Sequence, residues 1–189
     1  MRATYLSVPP AVAGGFLAFI MWNDTDIPLA YFISFRGHGT WLHGDERGST
    51  DLYNNIYGSP HIAANKNWQN YNRQKLKGEP VRLSADRRRS IEHAIRETCS
   101  KREWNLLAIN IRTNHVHTVV ATGGKAGELA LNAFKANATR QMRQDGCWTR
   151  DRSPWADKGS CRRLWNEQSI ANAVEYVLHG QGDDLPSFD

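Results

Sequence analysis

The hydrophobic patterning of the chain predicts an α+β fold in which helices pack on one face of a four-stranded antiparallel sheet. Three observations predict it. Short runs dense in β-branched and aromatic residues recur along the sequence, and stretches of helical period separate most of them. The link Arg112-Thr113-Asn114 is too short for a crossover, so the strands it joins form an antiparallel hairpin. The 189 residues, 40% hydrophobic and 10% aromatic, are enough for one packed domain and exclude a wholly disordered chain.

The elements follow in order. Residues 1–28 read as an N-terminal leader. Its apolar run from Ala11 to Trp22 is too short to span a bilayer and lacks a convincing small-residue cleavage site, which leaves a weak signal peptide as the lesser reading. The domain is expected over 29–189. Its first strand is Tyr31 to Phe35. A polar stretch rich in Gly and Asn, about 37–80, has no clear periodicity and reads as a long insertion after that strand.

A helix then starts near Ser84 or Asp86, with Ile91, Ala94, Ile95, Thr98 and Cys99 on one face. Its other face carries Arg87, Arg88, Arg89 and Arg96, which serve either solvation or nucleic-acid contact. The hairpin strands are Trp104 to Ile111 and His115 to Ala121. A second helix runs from about Ala126 to Arg143, with Ala126, Leu129, Ala130, Ala133 and Phe134 expected inward. A Trp-bearing basic loop leads to a strand at Cys161 to Trp165. The last helix runs from Ser169, read as its cap, to about His179. The strand-helix-hairpin-helix-strand order is ferredoxin-like. Fold alone assigns no function.

Composition narrows the partners. Lys plus Arg number 24 against 19 Asp plus Glu, a balance that suits a polyanion without requiring one. Cys99, Cys147 and Cys161 stand at no metal-like spacing, which points away from a disulfide framework or zinc ribbon and towards a reducing, cytoplasmic setting.

His115-Val116-His117 carries the clearest chemistry. On a strand the two imidazoles share one face, about 6–7 Å apart at Cα, and can converge on one divalent metal. His-x-His spacing does not by itself select a ligand pair, but here it falls on an expected central strand. Near the chain end Tyr176 and His179 share a helix face, and Tyr176 sits on the flank of the Ile170/Ala173/Val174/Val177 stripe. From there a side chain can reach over the sheet. The other reading is a tyrosine that packs its helix through the ring. His43-Gly44-Asp45-Glu46-Arg47-Gly48 reads as a polar turn, and His38, His61 and His93 have no partner in sequence.

Thr113-Asn114-His115-Val116-His117 resembles the HUH motif of single-strand DNA nucleases, in the Asn-His-Val-His form of the IS200/IS605-like tyrosine transposases and their REP-associated relatives. Phe134-Lys135 with Thr139-Arg140 resembles the family's helix after the motif. Glu175-Tyr176-Val177 resembles its tyrosine-bearing helix, and the likeness spans about Leu29 to Gln181. Where many relatives place Asn-Pro after the tyrosine, this chain has His179-Gly180-Gln181-Gly182.

The resemblance implies metal-dependent nicking and joining of single-stranded DNA in the course of DNA transposition and recombination. Mg²⁺ or Mn²⁺ is expected on His115, His117 and either His179 or Gln181. Tyr176 is the expected nucleophile, forming a 5′-phosphotyrosine. The expected partner is single-stranded or hairpin DNA, with no membrane, in a monomer or homodimer associated with the nucleoid. Lys135, Arg140, Arg143, Arg150, Arg152, Arg162 and Arg163 are the candidate DNA contacts, and Trp148 and Trp155 either stack on bases or seal the core. The alternative is a domesticated descendant that grips such nucleic acid without cutting it.

Overall fold

A computed structural model describes residues 26–46, 48–49, 62–182 and 185. The leader up to residue 25 and His61 lie outside the described residues. Strands β1 (Ala30–Arg36), β2 (Asn105–Ile111), β3 (His115–Ala121) and β4 (Ser160–Leu164) form one antiparallel sheet in the order β2-β3-β1-β4. This is the ferredoxin-like order, with β3 and β1 in the centre. Helices α1 (Lys66–Gln74), α2 (Ala85–Lys101), α3 (Gly127–Gln144) and α4 (Glu167–His179) complete the chain.

Alternation along the strands divides the sheet into two faces. Tyr31, Ile33, Phe35, Val116 and Val120 pack with Ile91, Ile95, Phe134 and Met142 beneath α2 and α3. Ala30, Ala108, Val119 and Leu164 pack with Ala173 and Val177 of α4 on the opposite face. The placement of all helices on one face is therefore corrected: α2 and α3 share a face and α4 takes the other. A helical stripe says that something is buried, but the side of the sheet depends on the link, here the two residues between β4 and α4.

Three local readings also change. The Asn166 side chain, not Ser169, caps α4, accepting from the Ser169 N–H at 2.8 Å. In α3 the buried stripe is Ala130, Leu131, Phe134, Ala138 and Met142, and Leu129 faces solvent. Arg88 turns inward from the expected basic face of α2, and burial together with nearby Arg112 lowers its pKa.

The stretch between β1 and α2, expected as a long insertion without clear periodicity, holds a helix. Asn65 caps α1 by accepting from Trp68 N–H, and none of the helix's residues is buried. It rests on the preceding loop through polar contacts: Asn65 N–H to Gly44 O, Gln69 to Asp45, and Asn72 to His43 O. Gly44 has φ +87°, and a Cβ there would stand 2.3 Å from Asn65 O and 2.7 Å from Gln69 N. Glycine is required at this seam for both reasons.

Candidate functional site

The α4 face is where the sequence-selected residues meet. His115 and His117 stand opposite Arg36 and Ser34 of β1, and His117 is also paired with Asn110 of β2. Their rings lie 4.6 Å apart between centroids. The Asn110 amide donates to Val177 O at 2.9 Å, which fixes the last turn of α4 above the hairpin. Tyr176 is thereby held with its ring 5.9 Å from His117 and 5.9 Å from Phe32, edge-on to Phe32, while remaining 48% exposed. The ring packs on the sheet, and the exposure leaves room for an incoming group.

Both imidazoles are oriented through Nδ1. His117 Nδ1 is 2.6 Å from Ser34 Oγ, and its ring stacks on Phe32 at 5.2 Å. His115 Nδ1 donates to Asn114 Oδ1 at 2.6 Å. Such partners set the tautomer and leave Nε2 for a ligand. Burial, then the neighbouring His115, pushes the His117 pKa down to about 3. At neutral pH its imidazole is uncharged, the form that binds metals.

The two candidate third ligands separate. His179 points along its own helix towards Glu175, 3.9 Å away, and is largely exposed. Beyond the helix, Gln181 turns back so that its Oε1 lies 3.1 Å from His115 Nε2, and its amide nitrogen donates to Tyr176 O. His115 Nε2 and Gln181 Oε1 thus face one another at the edge of the pair, two atoms that can each offer an electron pair to a cation. Adjacent octahedral ligands, each about 2.1 Å from Mg²⁺, lie about 3 Å from one another, close to the spacing found. The donor set fits a divalent metal. Among the described residues no group of three or more His, Cys, Asp or Glu side chains could hold one.

The basic residues are dispersed. Arg162 lies on this face, its guanidinium 5.2 Å over the Phe32 ring. Arg163 alternates to the other side of the strand and is exposed. Lys135 donates to Ala156 O and Lys158 O, Arg143 to Arg150 O and Asp151 O, and Arg152 to Glu79 O; all three are tethers of the loop before β4. Arg150 stacks on Trp148, and Arg140 lies 3.9 Å from Glu97. Trp148 and Trp155 are 2% and 4% exposed, which decides for the core over base stacking. Sequence reasoning missed Phe32, Ser34 and Asn110. Alternation in β1 places Phe32 and Ser34 off the Ile33 face, but their meeting with His117 needs the strand register.

Among the described residues no helix is long and apolar enough to cross a membrane. No curated protein matches the chain. Among the solved structures that resemble it distantly are two transposases. One is a REP-associated tyrosine transposase bound to a REP hairpin, 12% identical with a TM-score of 0.43, over 80% of this chain and 65% of that one. This chain thus matches less than two thirds of that protein's length. The other is a transposase-type protein from Deinococcus radiodurans R1, 11% identical with a TM-score of 0.42, over 85% of this chain and 97% of that one. The family described as "Transposase IS200 like" matches residues 69–179, more than half the chain, and this stretch holds His115, His117 and Tyr176. The chain belongs to the IS200-like transposase family.

Proposed function

We propose that the protein nicks and rejoins single-stranded DNA, with hairpin DNA as its natural form of substrate, through a covalent 5′-phosphotyrosine on Tyr176. The observation that carries this reading is the meeting of Tyr176 with the His115/His117 pair on one open face, its ring 5.9 Å from that of His117. His115, His117 and Gln181 would hold Mg²⁺ or Mn²⁺, which would supply Lewis-acid polarisation of the scissile phosphate. Tyr176 Oη attacks phosphorus and loses its proton to solvent, for which its exposed position is suited. The bond from phosphorus to the 3′ oxygen breaks, and that oxygen leaves as a hydroxyl. Attack by a 3′-hydroxyl on the phosphotyrosine reverses the step, so joining needs no external energy source. Of the candidate DNA contacts, Arg162 lies on this face, where its guanidinium could meet the phosphate backbone.

Incubation with labelled single-stranded hairpin DNA and Mn²⁺ tests the reading. The expected product is a protein–DNA adduct that survives denaturation. Tyr176→Phe is expected to abolish it while retaining DNA binding, and excess EDTA is expected to suppress it. An adduct formed fully by Tyr176→Phe or in EDTA overturns the assignment. DNA binding by the unaltered protein with no adduct identifies a non-cutting binder instead.

A further inference from the structure

Outside the site, the described residues that expose large aromatic rings are few: Trp68, Tyr71 and Trp165, besides Tyr176 itself. Trp68 and Tyr71 share the outer face of α1, three residues apart, and Lys75 continues the stripe a turn later with its ammonium 5.6 Å from the Tyr71 ring. The helix gives no residue to the core, so neither aromatic is needed to bury it. Trp68 is 38% exposed, and His43 stacks on it at 5.0 Å and 11° between planes, which holds the indole in one orientation. From Lys66 to Gly78 the chain carries Lys66, Arg73, Lys75 and Lys77 and no Asp or Glu.

Pre-oriented aromatic rings within a wholly basic segment match what an unpaired nucleic-acid strand requires: flat surfaces for bases and cations for phosphates. An acidic or apolar protein partner would account for the charge or for the rings, not for both interleaved. The segment is also joined to the site. Arg36, paired across the sheet with His115, lies 4.7 Å over the ring of Trp41, and Trp41 is two residues before His43.

We propose that the outer face of α1 is a stacking platform for the single-stranded DNA flanking the scissile position, a role that rests on the nuclease reading for its purpose but not for its measurement. Binding is followed by fluorescence anisotropy with the full chain in EDTA, so that cleavage plays no part. One probe is a labelled DNA hairpin with a single-stranded flank of about ten nucleotides, within the range one stacking surface covers. The other is the same hairpin without the flank. Trp68→Ala combined with Tyr71→Ala is expected to weaken binding of the flanked hairpin about tenfold or more, and of the blunt hairpin less than about twofold. Trp68→Phe, which keeps a π-face, is expected to retain most of the affinity. Lys75→Gln with Lys77→Gln is expected to flatten the salt dependence on the flanked probe.

Undiminished affinity of the double alanine variant for the flanked probe overturns the proposal, as does an equal loss on both probes. Failure of the nuclease reading looks different. In that case Mn²⁺ yields no adduct, while the flanked probe still discriminates between the unaltered and the alanine-substituted chain.

Discussion

The two faces of the sheet are built from the same strands and serve opposite ends. Beneath α2 and α3 the alternate residues are apolar and closed over, with Ile33, Val116, Val120 and Phe134 fully buried. Beneath α4 the set begins in the same way, with Ala30, Val119 and Leu164, and then turns polar and aromatic at Ser34, His115 and His117. Helix α4 is shorter than α3 and covers the apolar end, stopping where the histidines begin. One residue of offset along β3 thus separates a position that stabilises the fold from one at the candidate site. The closed face holds strand register, and register brings Ser34 and Asn110 to His117.

Phe134→Ala attacks the closed face and carries the largest expected effect on stability. Phe134 is wholly buried and edge-on to Trp104, so its truncation is expected to cost about 3–5 kcal/mol. Denaturant unfolding measures that loss. Adduct formation by the fraction that remains folded should be unimpaired, and a specific loss of adduct there would show that the faces are not separable.

Ser34→Ala attacks the open face with much less consequence for folding. Loss of the contact to His117 Nδ1 is expected to weaken Mn²⁺ affinity about 10–100-fold, read from the Mn²⁺ dependence of adduct formation. An unchanged Mn²⁺ requirement would detach Ser34 from the site.

The last prediction concerns acid sensitivity, an effect that is small near neutral pH and grows as the solution is acidified. Folded His117 resists protonation down to about pH 3, whereas in the unfolded chain it accepts a proton near pH 6.5, its ordinary value. The unfolded state therefore binds more protons between these limits. Metal-free stability should fall with acidification, by up to about 1.4 kcal/mol per pH unit below 6.5 from this group. Melting in chelator at successive pH values, compared with His117→Gln, isolates the contribution. Equal slopes in the two proteins would deny it.

Much of this division can be read from the residues, and what cannot has a physical reason. The hairpin from Asn105 to Ala121 is legible because strand period and a short turn are local signals. His115, His117 and Tyr176 are legible as candidates because period fixes which side chains share a face. The side of the sheet that α4 occupies is not local, nor is the path of the chain after Gly180. Hence His179 and Gln181 cannot be separated by counting, although they point different ways. Helix α1 escapes detection because its segment is polar throughout and its apolar side is one exposed pair, Trp68 and Tyr71, within a long Gly- and Asn-rich stretch. That spacing and the cap at Asn65 are the local signals it carries. Ser169 and Asn166 are both good caps three residues apart, and only the observed bond between them tells which one accepts.

The seating of α1 at Gly44 sets a hierarchy of opening. With no side chain in the core, the helix can detach by breaking a few polar contacts to its loop, at a free energy far below that of unfolding the sheet. Its amides then exchange with solvent through a local event that leaves β1, β3 and α4 in register. The segment is expected to open as a separable cooperative unit, and changes in its length should leave untouched the alternation that holds His115 and His117 in place.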